Sequence, residues 1–274
     1  RTIMNYESMI DDLNMDYRFF LQECSIETIP YNVLTEGAII DTIKKVFGAI
    51  IDFIKGLIDK IVGFFTGKKS DNEKAKDLKN LADKAKTSGP GKFTKTYTYY
   101  VLKPETCNAF IKYCEDEIKK AENDLSKIQS SYRKYINTGE GEPQIEVKNK
   151  DNVITTDFLI EKTANETNLK LSMEIQNHIS NITSSIFNHA NITKSFKNIL
   201  LKYNTLIKDI EKEFMKEKDN PKISERLQYI IQILNDENKH FGYLIQDISI
   251  LSAAHDKSIN SLEVILNAPR IPED

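Results

Sequence analysis

Residues 104–137, PETCNAFIKYCEDEIKKAENDLSKIQSSYRKYIN, decide the fold. Cys107, Ile111, Cys114, Ile118, Ala121, Leu125, Ile128, Tyr132 and Tyr135 alternate four and three apart, a spacing that only a helix turns into one continuous seam. Pro104 suits a first-turn position, where its missing N–H is not needed, and Gly139 and Gly141 stop the run. A second seam follows at Ile175, Ile179, Ile182, Ile186, His189, Thr193, Phe196, Leu200, Tyr203, Ile207, Ile210 and Phe214, in a helix read from a cap at Asp157 to Lys218. Beyond Asp219, Asn220 and Pro221, with Asn220 as N-cap, a third helix carries Leu227, Ile230, Leu234, Phe241, Ile248, His255, Ile259 and Leu262 and ends before Pro269. At 1.5 Å per residue these helices measure about 50, 90 and 70 Å. The expected fold is mainly α: an elongated antiparallel helical bundle or coiled coil with one or two small β elements. If the first helix pairs antiparallel with the second, a groove about 40 Å long stays open along 191–217 and the start of the third helix.

The remaining segments are shorter. FTKTYTYYVL at 93–102 is β-branched and aromatic with near alternation and reads as a strand, to be paired with 144–155 or with another subunit. Residues 71–87 favour helix but show almost no apolar face, so they read as a solvated helix or semi-rigid linker. Tyr6, Met9, Ile10, Leu13, Tyr17, Phe20 and Leu21 predict an acidic helix over 5–24. Four units result: an acidic N-terminal helix and connector at 1–35, an amphipathic helix at 36–69, a polar linker at 70–92, and a strand plus long-helix bundle at 93–274.

The amphipathic helix, AIIDTIKKVFGAIIDFIKGLIDKIVGFFT at 38–66, is the most apolar part of the chain. Ile39, Ile43, Val46, Ile50, Ile54, Leu57, Ile61 and Phe64 share one meridian, and Phe47, Phe53, Ile58 and Phe65 widen it. Asp41, Lys45, Gly48, Asp52, Lys55, Asp59 and Gly63 form a narrow polar stripe. The twelve apolar residues are the candidate contact surface for a membrane or neighbouring subunits, or the filling of the open groove in the chain's own bundle. Gly48, Gly56, Gly63 and Gly67 each cost roughly 0.8–1 kcal/mol of helix propensity, which close packing against another helix would explain. Residues 36–92 hold twelve Lys against eight Asp plus Glu, a net of +4, which leaves −7 for the rest of a chain whose net charge is −3. A cationic helix with a large apolar face suits an anionic lipid surface, whereas the acidic remainder argues against nucleic acid as the main partner. Charges interrupt every apolar window before it reaches the length of a membrane span, and the first twenty residues lack a secretory pattern.

Chemistry is not written in the sequence. Cys107 and Cys114 fall on the seam about 10 Å apart, too far for a disulfide, and are read with Cys24 as reduced packing residues. His189 and His255 sit at seam positions and are expected as hydrogen-bonded core histidines, while His178 and His240 are expected at the surface. No Cys/His pair has metal spacing, no glycine-rich loop follows a strand, and no nucleophile–base set is suggested. The expectation is a non-enzyme without cofactor, metal or small-molecule substrate.

Leu34, Thr35, Glu36 and Gly37, just before the amphipathic helix, resemble the Leu/Ile-x-Glu followed by a small residue that prohead proteases of T4-like bacteriophages cut. The cationic Ile/Phe/Lys helix, polar linker and long helices that follow resemble virion structural proteins of large tailed bacteriophages of Gram-positive bacteria. That resemblance implies a virion component assembled in the bacterial cytoplasm, with other virion proteins or its own copies as partners and membrane as a further one. It marks Leu34, Glu36 and Gly37 as a candidate processing site. The amphipathic helix is also similar in charge and pattern to short cytolytic peptides of staphylococci, and an α-helical pore-forming toxin stands as one alternative; a cytoplasmic coiled-coil scaffold, for which the heptads of the three long helices would suffice, is another.

Overall fold

The structure is a computed structural model that describes residues 36–66, 69–87, 92–146, 154–165 and 171–271. Its elements are α1 (Glu36–Thr66), α2 (Asp71–Thr87), β1 (Lys92–Phe93), β2 (Tyr97–Leu102), α3 (Pro104–Thr138), α4 (Thr156–Leu159), β3 (Ile160–Asn165), α5 (Leu171–Lys216), α6 (Ile223–Leu266) and β4 (Arg270–Ile271). The protein is mainly α, with two small antiparallel sheets, β1–β4 and β2–β3. The predicted acidic helix at 5–24 lies outside the described residues.

All three seams read from the sequence are buried along their full length. The helices α5 and α6 run antiparallel as the central pair, about 70 and 65 Å long, held where the Tyr203 hydroxyl donates to the Leu234 carbonyl and where Ser185 meets His255. Their partners are arranged differently from the expected rod. Helix α3 runs antiparallel to α6, with Glu117 beside His240 and Arg226 donating to the Ile136 carbonyl, and therefore parallel to α5. The reason lies between them: residues predicted as the start of a 90 Å helix form the short α4 and strand β3 instead, beside β2, so α5 begins at the end of the bundle where α3 begins. Tyr229 donates its hydroxyl to the Pro143 carbonyl. Asp157 caps nothing; Thr155 precedes α4, and the Asp157 carboxylate faces Lys257 at 3.2 Å. Asn220 organises the turn before α6 rather than capping it, accepting the Lys222 N–H on its side chain while α6 starts at Ile223.

Strand β2 pairs with β3 from Tyr97 opposite Asn165 to Leu102 opposite Ile160, not with 144–155 as predicted; the Asn149–Asn152 hairpin reading lies outside the described residues. The other edge of β2 is closed by α6. Ser261 Oγ accepts the Tyr100 N–H at 2.9 Å, and Ser258 Oγ donates to the Tyr100 carbonyl at 2.7 Å. This sheet takes the place of α3 at the end of the bundle that α3 does not reach, with the Tyr99 ring against His178.

The amphipathic helix fills a groove between α5 and α6, though not one left by an antiparallel α3, since α3 itself reaches that end of the pair, where Arg226 meets Ile136. Helices α1 and α3 each pack on α5 and α6 with no substantial contact between themselves, so they lie on opposite sides of the central pair. Phe47 meets Phe214, centroids 5.7 Å apart, and Lys44 acts on Glu211, while at the other end Asp71 reaches His189. Helices α1 and α2 thus run in the same direction, both antiparallel to α5. Helix α2 opens on a capping box: the Glu73 N–H donates to Ser70 Oγ and the Ser70 N–H to the Glu73 carboxylate, both at 3.2 Å.

Candidate functional site

The twelve apolar residues singled out in α1 are placed as follows. Ile39, Ile43, Val46, Phe47, Ile50, Phe53, Ile54, Leu57 and Ile61 are buried against the protein's own bundle, and Ile58 packs partly buried against the same core. The side chains of Phe64 and Phe65 lie outside the described ones, as does Leu34; Glu36 and Gly37 open α1. Asp41, Lys44, Lys45, Asp52, Lys55 and Asp59 face solvent, so the polar stripe forms an outer ridge of the bundle. Nine buried side chains at roughly 1.5–3 kcal/mol each amount to a gross burial on the order of 20 kcal/mol. The helix has no reason to leave this groove for water; it can leave only for another apolar surface.

The glycines correct the sequence reading. A Cβ built on Gly48, Gly56 or Gly63 meets nothing within 4 Å, so close helix packing does not explain them in this arrangement, and Gly67 lies outside the described residues. Gly48→Ala/Gly56→Ala/Gly63→Ala is therefore expected to raise the thermal midpoint, with a gain of roughly 2–3 kcal/mol at 0.8–1 kcal/mol per site. An unchanged or lowered Tm would show that the outer face of α1 is covered in solution.

Where α1 gives way to α2, the bundle holds a layer of buried polar groups. The Asp71 carboxylate is 2.8 Å from His189 Nδ1, and His189 Nε2 donates to the Ile248 carbonyl at 3.1 Å. Since a carbonyl only accepts, Nε2 carries hydrogen and a second proton is shared between Nδ1 and Asp71. The Lys74 ammonium, on a side chain 1% exposed, donates to Ser252 Oγ at 2.9 Å and pairs with Asp256 at 2.8 Å. His255 Nε2 meets Ser185 Oγ at 2.6 Å, its Nδ1 is a buried atom without a hydrogen-bond partner, and its ring stands edge-on to His189 with centroids 5.8 Å apart. Burial, reinforced by the His189 and Lys74 charges, holds His255 well below the usual histidine range, so it is neutral. Burial also pushes the Asp256 carboxyl up, against the pull of Lys74.

A second buried set joins α3 to α6. His240 Nε2 lies 2.7 Å from Glu117, which also takes a 2.9 Å hydrogen bond from Lys120, and the Glu237 carboxylate stands 3.9 Å from His240 Nδ1. Burial raises the Glu117 carboxyl, but the bonds from Lys120 and His240 outweigh it and hold the group below its usual value. His240 is thus buried and His178 half-buried, both against the surface positions expected. The expected core roles of His189 and His255 hold. Burial pushes the Cys107 thiol up to about 11, which suits packing and disfavours nucleophilic use.

Sequence reading missed Asp71, Lys74, Glu117, His240 and Asp256. The one available signal for the first pair was Ser70 three residues before Glu73, a helix-start mark that makes 71–87 a defined element rather than a linker. Leu78, Leu81 and Ala85 dock that helix on the bundle. Among the described residues no group of three or more His, Cys, Asp or Glu is placed to hold a metal ion, and no helix is long and apolar enough to cross a membrane. Comparison with protein-family models, characterised proteins and solved structures finds no match to this chain.

Proposed function

We propose that this chain is a non-enzymatic structural component of a bacteriophage virion that carries a membrane-directed helix in stowed form. The observation that carries the membrane part is the seating of α1: its apolar face is stored in the α5–α6 groove, its lysine-edged ridge faces outward, and its glycines serve no packing role there. A helix of this length with charges throughout lies in a lipid interface rather than spanning the bilayer. Exchange of the groove for lipid keeps its apolar side chains covered, and the bare glycine positions allow close approach between copies once α1 is out. The virion setting rests on the resemblance at 34–69; other virion proteins or further copies are the expected partners.

The same stowed geometry favours, as a second reading, a pore-forming toxin whose soluble bundle hides its membrane helix. Purified particles separate the two. Virion membership predicts the protein there at fixed copy number by mass spectrometry, a toxin predicts dye release from vesicles by isolated protein, and a cytoplasmic scaffold predicts neither.

Membrane contact is tested by flotation with vesicles containing anionic lipid. Lys44→Gln/Lys45→Gln/Lys55→Gln changes only exposed positions, so the fold should persist while vesicle affinity falls about 100-fold at roughly 1 kcal/mol per lysine. Equal flotation of the triple variant would refute the assignment of the ridge to lipid.

A further inference from the structure

The polar layer at the α1–α2 junction is costly by construction. Lys74, Asp71 and Asp256 are placed out of water, and each buried ion costs several kcal/mol before its partner offsets it. Apolar residues would have joined α2 to the bundle at lower cost, as Leu78, Leu81 and Ala85 do one turn further on. The layer also sits at one place only: it fastens the first turn of α2, the helix that follows α1. We infer that it is an acid-sensitive latch, in which protonation of His255 beside the resident Lys74 ammonium expels the first turn of α2 and so frees the attached end of the amphipathic helix.

The charge balance sets the direction. From α2 the layer is faced by Asp71 and Lys74, from α5 by His189, and from α6 by Asp256, with Lys69 beyond Asp256. With one proton shared by Asp71 and His189, the charges of Asp71, His189, Lys74 and Asp256 sum to zero while His255 is neutral, and Lys69 is balanced by Asp77 at 2.9 Å. A proton on His255 makes the layer a net cation and gives Nδ1 a hydrogen with no acceptor in reach. Opening hydrates the ring and returns it to its ordinary value of 6.5, so opening takes up a proton and is favoured as pH falls below that value. Asp256 acts the other way. Its raised value means that the closed layer takes up a proton more readily than water-exposed Asp256 at 3.8, which favours closure only within the carboxylate range.

The latch regulates release of the helix assigned to lipid above and rests on that reading for its purpose, but its test uses no lipid. Hydrogen exchange of the full chain, corrected for intrinsic rates, should show protection of residues 36–87 falling about tenfold between pH 6.5 and 5.0. His255→Gln keeps an uncharged amide for Ser185 and should leave that protection flat. Should this variant not fold, NMR titration of the His255 ring in the native chain decides: the latch requires proton uptake and loss of α2 protection to coincide. Flat protection in the native chain, an unaltered pH response in His255→Gln, or a His255 that titrates while α2 stays protected would each overturn it. Vesicle binding that is equal at both pH values with flat exchange overturns the latch and leaves the membrane reading standing; acid opening without vesicle binding does the reverse.

Discussion

Ile54→Asp is expected to lower stability by about 4 kcal/mol and to unseat α1, read as a drop in the urea midpoint at unchanged secondary structure elsewhere. Ile54 is fully buried in the groove, one turn from the equally buried Ile50, and both belong to the continuous apolar core. A carboxylate there either remains charged without a partner or drives the helix out; both outcomes cost most of what a small domain has to spare. The double change Ile50→Asp/Ile54→Asp separates seating from lipid contact. Its α1 should be more accessible than in the native chain, yet it should fail to float with anionic vesicles, because the face that would enter lipid now carries two acids. A native urea midpoint would mean that α1 does not occupy the groove in solution, and flotation of the double variant would move the anchor to another segment.

The second large effect belongs to the buried ion pair. Lys74→Met should cost about 3–5 kcal/mol, since it leaves the Asp256 carboxylate in a site whose side chain is only 4% exposed, with one of its oxygens already lacking a hydrogen-bond partner. Lys74→Met/Asp256→Leu should recover most of that loss, because two packed apolar side chains need no charge compensation. The coupling energy from the four-protein cycle is therefore expected to reach several kcal/mol. Strict additivity would show that the pair is not formed in solution and would weaken the latch with it.

Periodicity governs the parts of this fold that are legible in the amino-acid sequence. Every seam residue from Cys107 to Tyr135, Ile175 to Phe214 and Leu227 to Leu262 is buried, because a 3.5–3.6 residue rhythm has only one way to put its apolar members together. Direction and partner choice are not legible there. Whether α3 runs parallel or antiparallel to α5 depends on whether 156–165 continues a helix or forms a strand, and the partner of that strand is set by tertiary packing. The amphipathic pattern of α1 determines which side chains seek cover but not what covers them, since lipid, a second copy and the chain's own groove ask for the same residues. The buried charges are hidden for a different reason. Asp71, Lys74, Glu117 and Asp256 look like ordinary solvated positions until their partners, more than a hundred residues away in sequence, are brought beside them.

The serines of α6 that occupy both backbone groups of Tyr100 have a consequence for crowded settings. A two-stranded ribbon normally offers open rims on which identical chains can stack into fibres. With Ser258 and Ser261 already bonded along one rim, growth in that direction is blocked at its first rung. Crowded copies of the chain therefore cannot extend the ribbon through Tyr100 on this rim.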